Sequence, residues 1–379
     1  MIYLDEAATT PVKREVLEAM WPYLGPEFGN PSSHHEVGEA AREALERARA
    51  DVASVLGARA SEITFTSGGT ESDNAAVKGI ALASTGRHVI VSAVEHPAVL
   101  ESAAWLGRIG YDITVLPVRP DGGVEPRTLA EALRDDTAVV SIQLANNEVG
   151  TIQPVHVLAS IAHEHGIPFH TDAVQAVGQL PVSFAGSGTD ALTLTGHKIG
   201  GPMGVGALLL ARGLTPVSVQ HGGGQERDVR SGTLDAPAIA GLAAAVGTAV
   251  KEQEAVGRRL TSLRNELIQR VRDAVPDVVL NGDPVGRLPG NAHFSFPGCE
   301  GDALLMLLDA KGVECSTGSA CSAGVAQPSH VLLAMGAEAA AARGSLRFTL
   351  GHTSTRDDVD RLIEVLPAAV ERARRAGLS

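Results

Sequence analysis

Apolar positions recur at three- and four-residue intervals from residue 34 to 56. Val37, Ala41, Ala44, Ala48, Val52 and Val55 fall on one helical face, with Glu and Arg between them. Gly57 ends that helix. A β-branched run, Ile63-Thr64-Phe65-Thr66, comes next, followed by Ser67-Gly68-Gly69-Thr70. The spacing Thr70-Glu71-Ser72-Asp73 predicts a helix start of the capping type. The pattern then alternates. Strands are predicted at 88–94, 112–118, 138–144, 167–171, 191–195 and 205–210, and helices at 97–110, 126–134 and 154–165. Alternation over some 200 residues predicts an α/β fold, a mostly parallel sheet covered on both faces.

Residues 235–275 read as helical with polar interruptions. The remainder reads as a smaller α+β unit, with strands at 278–280, 292–296 and 345–350 and helices at 302–311, 328–335 and 355–374. A boundary is expected near residue 255. It gives a large α/β domain over 12–255 and a small domain built from 1–11 with 256–379.

The length of 379 residues suits two domains or one large α/β unit. A formal net charge of −13 argues against a generic binder of nucleic acid or anionic membranes. No basic and apolar leader opens the chain, where Asp5 and Glu6 stand. The longest near-apolar stretch, 236–250, falls short of the ~20 residues of a membrane span. Three cysteines make no disulfide framework. Together these features lead to the expectation of a cytoplasmic protein in a reducing compartment.

Ligands of open parallel sheets bind beyond the carboxyl ends of the strands. Those ends deliver Gly68-Gly69-Thr70, Glu95-His96-Pro97, Asn146-Asn147-Glu148, His170-Thr171-Asp172 with Gln175, and Thr195-Gly196-His197-Lys198. The glycine pair is either a simple helix cap or a phosphate cradle. His96 is either a satisfied loop histidine or a functional one. The apolar flanks of Asp172 favour a partly buried acid with a partner. Lys198 follows Leu192-Thr193-Leu194 and precedes Ile199-Gly200-Gly201, which would hold its amine off bulk water and make it a nucleophile. A cradle, a buried acid and a desolvated lysine together suggest pyridoxal phosphate (PLP). The Asp172–Lys198 spacing suits the large domain of the aspartate-aminotransferase-like fold, PLP fold type I.

Nine segments, in order, resemble the cysteine desulfurases. They are Tyr3-Leu4-Asp5-Glu6-Ala7-Ala8-Thr9-Thr10-Pro11, Gly29-Asn30-Pro31-Ser32-Ser33, Thr66 to Asn74, Glu95-His96-Pro97, Ala145-Asn146-Asn147-Glu148, His170 to Gln175, Gly196-His197-Lys198, Arg230-Ser231-Gly232-Thr233, and Ser316-Thr317-Gly318-Ser319-Ala320-Cys321-Ser322. The resemblance implies that Lys198 carries PLP covalently, Asp172 holds its ring nitrogen and Gln175 its ring oxygen. It implies a phosphate site of Gly69, Thr70, Thr195 and His197. His96 would stack on the ring and move protons, and Asn147 and Arg347 would hold the substrate carboxylate. Thr233 would reach the cofactor of a neighbouring subunit, which implies a homodimer.

Cys299 and Cys315 lie near predicted strand ends and read as inert. Cys321 sits among Ser, Thr, Gly and Ala, none of which anchors a core position. As the resemblance has it, Cys321 takes sulfur from L-cysteine as a persulfide and L-alanine is released. The sulfur would pass to an iron–sulfur scaffold or a tRNA-thiolating acceptor protein, with Cys321 a candidate transient iron–sulfur ligand. The alternatives are a selenocysteine lyase or another class-V PLP aminotransferase. No resident metal, no direct nucleic acid and no membrane are expected. There is no His-Glu-x-x-His, no P-loop, no Gly-x-Gly-x-x-Gly and no Gly-x-Ser-x-Gly.

Overall fold

The computed structural model describes residues 1–318 and 327–377. Twelve strands are found among them: β1 (Ile2–Tyr3), β2 (Ile63–Thr66), β3 (His88–Ser92), β4 (Asp112–Leu116), β5 (Thr137–Ser141), β6 (Phe169–Asp172), β7 (Ala191–Thr195), β8 (Gly206–Leu210), β9 (Val279–Asn281), β10 (Asn291–Ser295), β11 (Val313–Glu314) and β12 (Ser345–Thr349). The large sheet has the order β2-β8-β7-β6-β5-β3-β4. Its pairings are parallel except for those of β8, which runs antiparallel to β2 and β7. Strands β2, β3, β5, β6, β7 and β8 are buried along their whole length. Continuous burial is what a sheet covered by helices on both faces demands, and it explains the runs of Val, Ile and Leu.

A second, antiparallel sheet has the order β12-β10-β9, and β1 pairs in parallel with β11. The interior has two principal cores. One packs Val52, Phe65, Leu194, Ile239 and Leu242 under the large sheet. The other packs Leu4, Leu267, Phe294, Phe296, Phe348 and Leu366. The helix Ala236–Ala274 is one rod of 39 residues that contributes its first half to one core and its second half to the other. The helical reading of 235–275 thus corresponds to one continuous element, and its polar interruptions lie mainly on the solvent side, where helical propensity carries the element without packing.

Three local expectations need correction. The helix after β2 begins at Gly69, not Thr70, and Gly68 precedes it with φ of +149°. Instead of a Thr70 cap, the Glu71 carboxylate reaches back to accept the Ser67 N–H at 2.7 Å. The helix expected from 328 begins at His330, where the Ser329 hydroxyl accepts the Leu332 N–H and caps it. The helix Arg14–Leu24 escaped the pattern altogether. It contains Pro22, and Val16 is its only buried residue, so it gives little sign of itself through the chain's own core.

Candidate active site

A cavity of about 360 Å³ opens beyond the carboxyl ends of β2, β6 and β7. Gly69, Thr70, His96, Asn147, Asp172, Gln175, Thr195, His197, Lys198 and Arg347 all line it, so ten of the twelve residues singled out from the sequence meet there. Thr233 is not among the lining residues and is exposed. Cys321 lies outside the described residues.

One wall is the N-terminus of the helix Gly69–Ala83. A Cβ at position 69 would sit 2.9 Å from Val174 Cγ2, so only glycine lets the first turn come this close to the β6 end. Gly206 at the start of β8 plays a similar part, since a Cβ there would lie 2.8 Å from Gly68 Cα. The unpaired amides of a first helical turn, with the helix dipole behind them, suit a phosphate. Thr195 and His197 flank this turn at the end of β7. Burial, reinforced by the neighbouring Lys198, lowers the His197 imidazole to about 4, so the ring is neutral at pH 7.

Lys198 projects from the turn Gly196–Lys198 that follows β7. Its amine donates to the carbonyls of Ala7 (2.5 Å) and Ala8 (2.7 Å). The N-terminal segment therefore holds the lysine at the cavity floor. Gln175 donates its side-chain amide to the same Ala7 carbonyl at 3.0 Å. Asp172 closes β6 and accepts the Val174 N–H at 2.8 Å. Burial pushes its carboxyl up to about 6, against the pull of that N–H and of Lys198.

His96 caps the helix Pro97–Arg108, with Nδ1 accepting the Ala98 N–H at 3.1 Å. Burial, with Lys198 and His330 nearby, lowers this imidazole to about 4. A neutral ring that accepts at Nδ1 carries its proton on Nε2. Arg347, on β12, donates to the Asn147 carbonyl (2.9 Å) and to Asp5 Oδ1 (2.6 Å), while its Nε is buried without a partner among the described residues.

Sequence reading did not single out Asp73, which also lines the cavity and is fully buried; burial and the nearby Asp172 push its carboxyl well up. The signal was present, because an acid on the inward face of an otherwise apolar helix is unusual. These parts fit PLP: an anion cradle that a side chain at 69 would fill, an amine, a buried acid, a neutral imidazole and an unpartnered guanidinium nitrogen.

The class-V aminotransferase profile matches residues 2–362. This chain belongs to the class-V aminotransferase family. Within the family it is 56% identical, over all of its length and 98% of the relative's, to the IscS-like cysteine desulfurase of Mycobacterium tuberculosis. It is 48% identical to the cysteine desulfurase IscS of Dictyoglomus turgidum, over 98% of this chain and 95% of that one. Among solved structures, a NifS-like protein superposes with a TM-score of 0.92 at 35% identity, covering 98% of this chain and 99% of its own. The fold is therefore that of the NifS-like class-V aminotransferases, and the cofactor is PLP. Among the described residues, no helix is long and apolar enough to cross a membrane and no cluster of His, Cys, Asp and Glu could hold a metal ion.

Proposed function

We propose that this class-V aminotransferase is a cysteine desulfurase, converting L-cysteine to L-alanine and leaving the sulfur as a persulfide on Cys321. One observation carries the reading. Lys198, Asp172 and the Gly69 helix start share one cavity in a chain that is 56% identical, end to end, to an IscS-like cysteine desulfurase. Bound PLP supplies an electron sink for the pair released when the substrate loses its Cα proton.

The chain's own residues do the rest. Lys198 would offer the amine that holds the cofactor, and the same amine would serve as a base for the substrate's Cα proton. Asp172, buried beneath the cavity, sets a negative charge against the cofactor's ring nitrogen. Gly69, Thr70, Thr195 and His197 hold its phosphate, and Gln175 its ring oxygen. The Asn147 carbonyl and Asp5 seat Arg347, whose cavity-lining guanidinium has donors to spare for the substrate carboxylate. His96 holds a proton on Nε2 for delivery to the reacting group. The Cys321 thiolate attacks the substrate sulfur. An S–S bond forms as the C–S bond breaks, and the carbon keeps the electron pair, takes a proton and leaves as alanine.

The helix Arg14–Leu24 supports a homodimer. Leu17, Trp21 and Leu24 are spaced along one of its faces, and with Phe28 beyond it they are more than half exposed, an apolar patch of the kind subunits cover. Thr233 would then serve the neighbouring subunit's cofactor. The sulfur acceptor is an iron–sulfur scaffold or a tRNA-thiolating protein, and the setting is the cytoplasm. The domains divide as 12–255 and 1–11 with 256–379. The deciding experiment is alanine formation from L-cysteine and a thiol reductant. Wild type should form alanine, Cys321→Ala should not while retaining PLP, and Lys198→Ala should lose the visible absorbance of the bound cofactor. Alanine from Cys321→Ala would overturn the role of Cys321.

A further inference from the structure

Glu71 and Arg230 take no part in the steps above. Glu71 lines a cavity of about 470 Å³ together with Gly69, Thr70, Thr195 and His197, the four residues assigned to the cofactor phosphate. It is the third residue of the helix Gly69–Ala83. A carboxylate at that place is drawn to the same N-terminal amides and dipole that suit a phosphate. Two anions therefore have a claim on one helix end. Burial raises the Glu71 carboxyl, but hydrogen bonds from Arg230 and Ser67 hold it below its usual range, so it is charged at pH 7.

The fold turns this charge away from the first turn. Oε2 accepts the Ser67 N–H at 2.7 Å, outside the helix, and Oε1 accepts Arg230 Nε at 2.8 Å. The two side chains are only 15% and 16% exposed, so the pair is screened little by solvent. Arg230 comes from 159 residues further along the chain, on a braced loop. Its carbonyl accepts the Glu226 N–H at 3.0 Å, and Glu226 is itself held by Arg49 and the Phe65 N–H. Beside it, the Ser231 carbonyl accepts from Gln220 Nε2 and the Gly232 N–H donates to Gln225 Oε1, both at 2.6 Å.

We propose that Arg230 is a positioning residue for cofactor binding: by holding the Glu71 carboxylate, it keeps that anion out of the cradle that takes the PLP phosphate. The inference rests on Gly69 and Thr70 being the phosphate site. Without Arg230, Glu71 keeps its charge but loses its cation, and is free to turn to the first-turn amides in competition with the phosphate. The loss should then require both the missing guanidinium and the carboxylate. An arginine that attracted the phosphate directly would matter equally whatever stood at position 71.

The test uses the full-length protein freed of cofactor and titrated with PLP or with pyridoxal, which lacks the phosphate. Four proteins are compared: wild type, Arg230→Gln, Glu71→Gln and the double variant. Glu71→Gln keeps an acceptor for Ser67 and Arg230 while removing the charge. Arg230→Gln should weaken PLP about fivefold or more and leave pyridoxal within about twofold of wild type. Glu71→Gln alone should change either affinity by no more than about twofold, and the double variant should bind PLP within about twofold of wild type. An unchanged PLP affinity in Arg230→Gln overturns the proposal. So does an equal loss for pyridoxal, which would mean a general loosening of the site. A cost of Arg230→Gln that is the same with and without Glu71→Gln overturns it as well. Wild type that binds PLP no more tightly than pyridoxal would remove the phosphate cradle first, and the inference with it.

Discussion

Glu6 occupies a buried position with one carboxyl oxygen unpartnered among the described residues and the other 3.2 Å from the Thr353 hydroxyl. Burial raises its carboxyl to about 7, from an ordinary 4.5 in the unfolded chain. The folded pKa lies above the unfolded one. Below pH 4.5 both states are protonated and no penalty exists. As pH rises from 4.5 through 7 the fold loses stability, and above 7 the full penalty of order 1–3 kcal/mol persists. Glu6→Gln should therefore raise the Tm at pH 8 and leave it nearly unchanged at pH 4.5, as thermal unfolding across that range would show. The cysteines give a second prediction at this scale. Burial pushes the Cys315 thiol up to about 12 and raises that of Cys299 as well. The thiolate is the reactive form, so iodoacetamide at pH 8 should leave both unmodified in the native protein, as judged by peptide mass spectrometry.

Among the elements, the helix Gly69–Ala83 has the tightest tolerance. Gly69→Ala would put a methyl 2.9 Å from Val174 Cγ2 and force the first turn away from β6. Far-UV circular dichroism should be unchanged, while PLP affinity should fall at least tenfold (about 1.4 kcal/mol) because the anion cradle is displaced. This element also shows how sequence signals divide. The run 63–66 and the two glycines announced a strand–turn–helix, but Thr70 as the cap was wrong. The cap depends on Gly68 at φ of +149° and on Glu71 reaching back to Ser67, and pattern rules carry neither. The helix Arg14–Leu24 escaped notice because Pro22 sits inside it and most of its apolar residues are exposed and not part of the chain's own core.

At the scale of the molecule, distant segments are held together by buried polar contacts. Arg49 on the helix Glu36–Val55 pairs with Glu226 through two bonds of 2.8 Å, and Glu226 also accepts the Phe65 N–H of β2 at 2.8 Å. Removing one partner strands a buried charge. Glu226→Ala should thus cost about 3–5 kcal/mol, read as a lower urea midpoint at unchanged slope. The N-terminal segment acts at the same scale. It supplies β1 to the small β1–β11 sheet, Asp5 to Arg347, and the Ala7 and Ala8 carbonyls to Lys198.

Much of the fold was legible in the chain's order. Buried parallel strands must be apolar throughout, their helices must carry one apolar stripe, and glycine must stand where backbones touch. The residue types at the strand ends could be read because an amine, an acid and a glycine-rich turn bring their chemistry with them. Only the tertiary structure decided that Lys198 rests on carbonyls 190 and 191 residues away, and that Asn147 and Asp5 seat the Arg347 guanidinium at the cavity. The reason is physical. Periodicity reports which face of an element is buried, whereas a hydrogen bond between distant segments depends on three coordinates that no local pattern encodes.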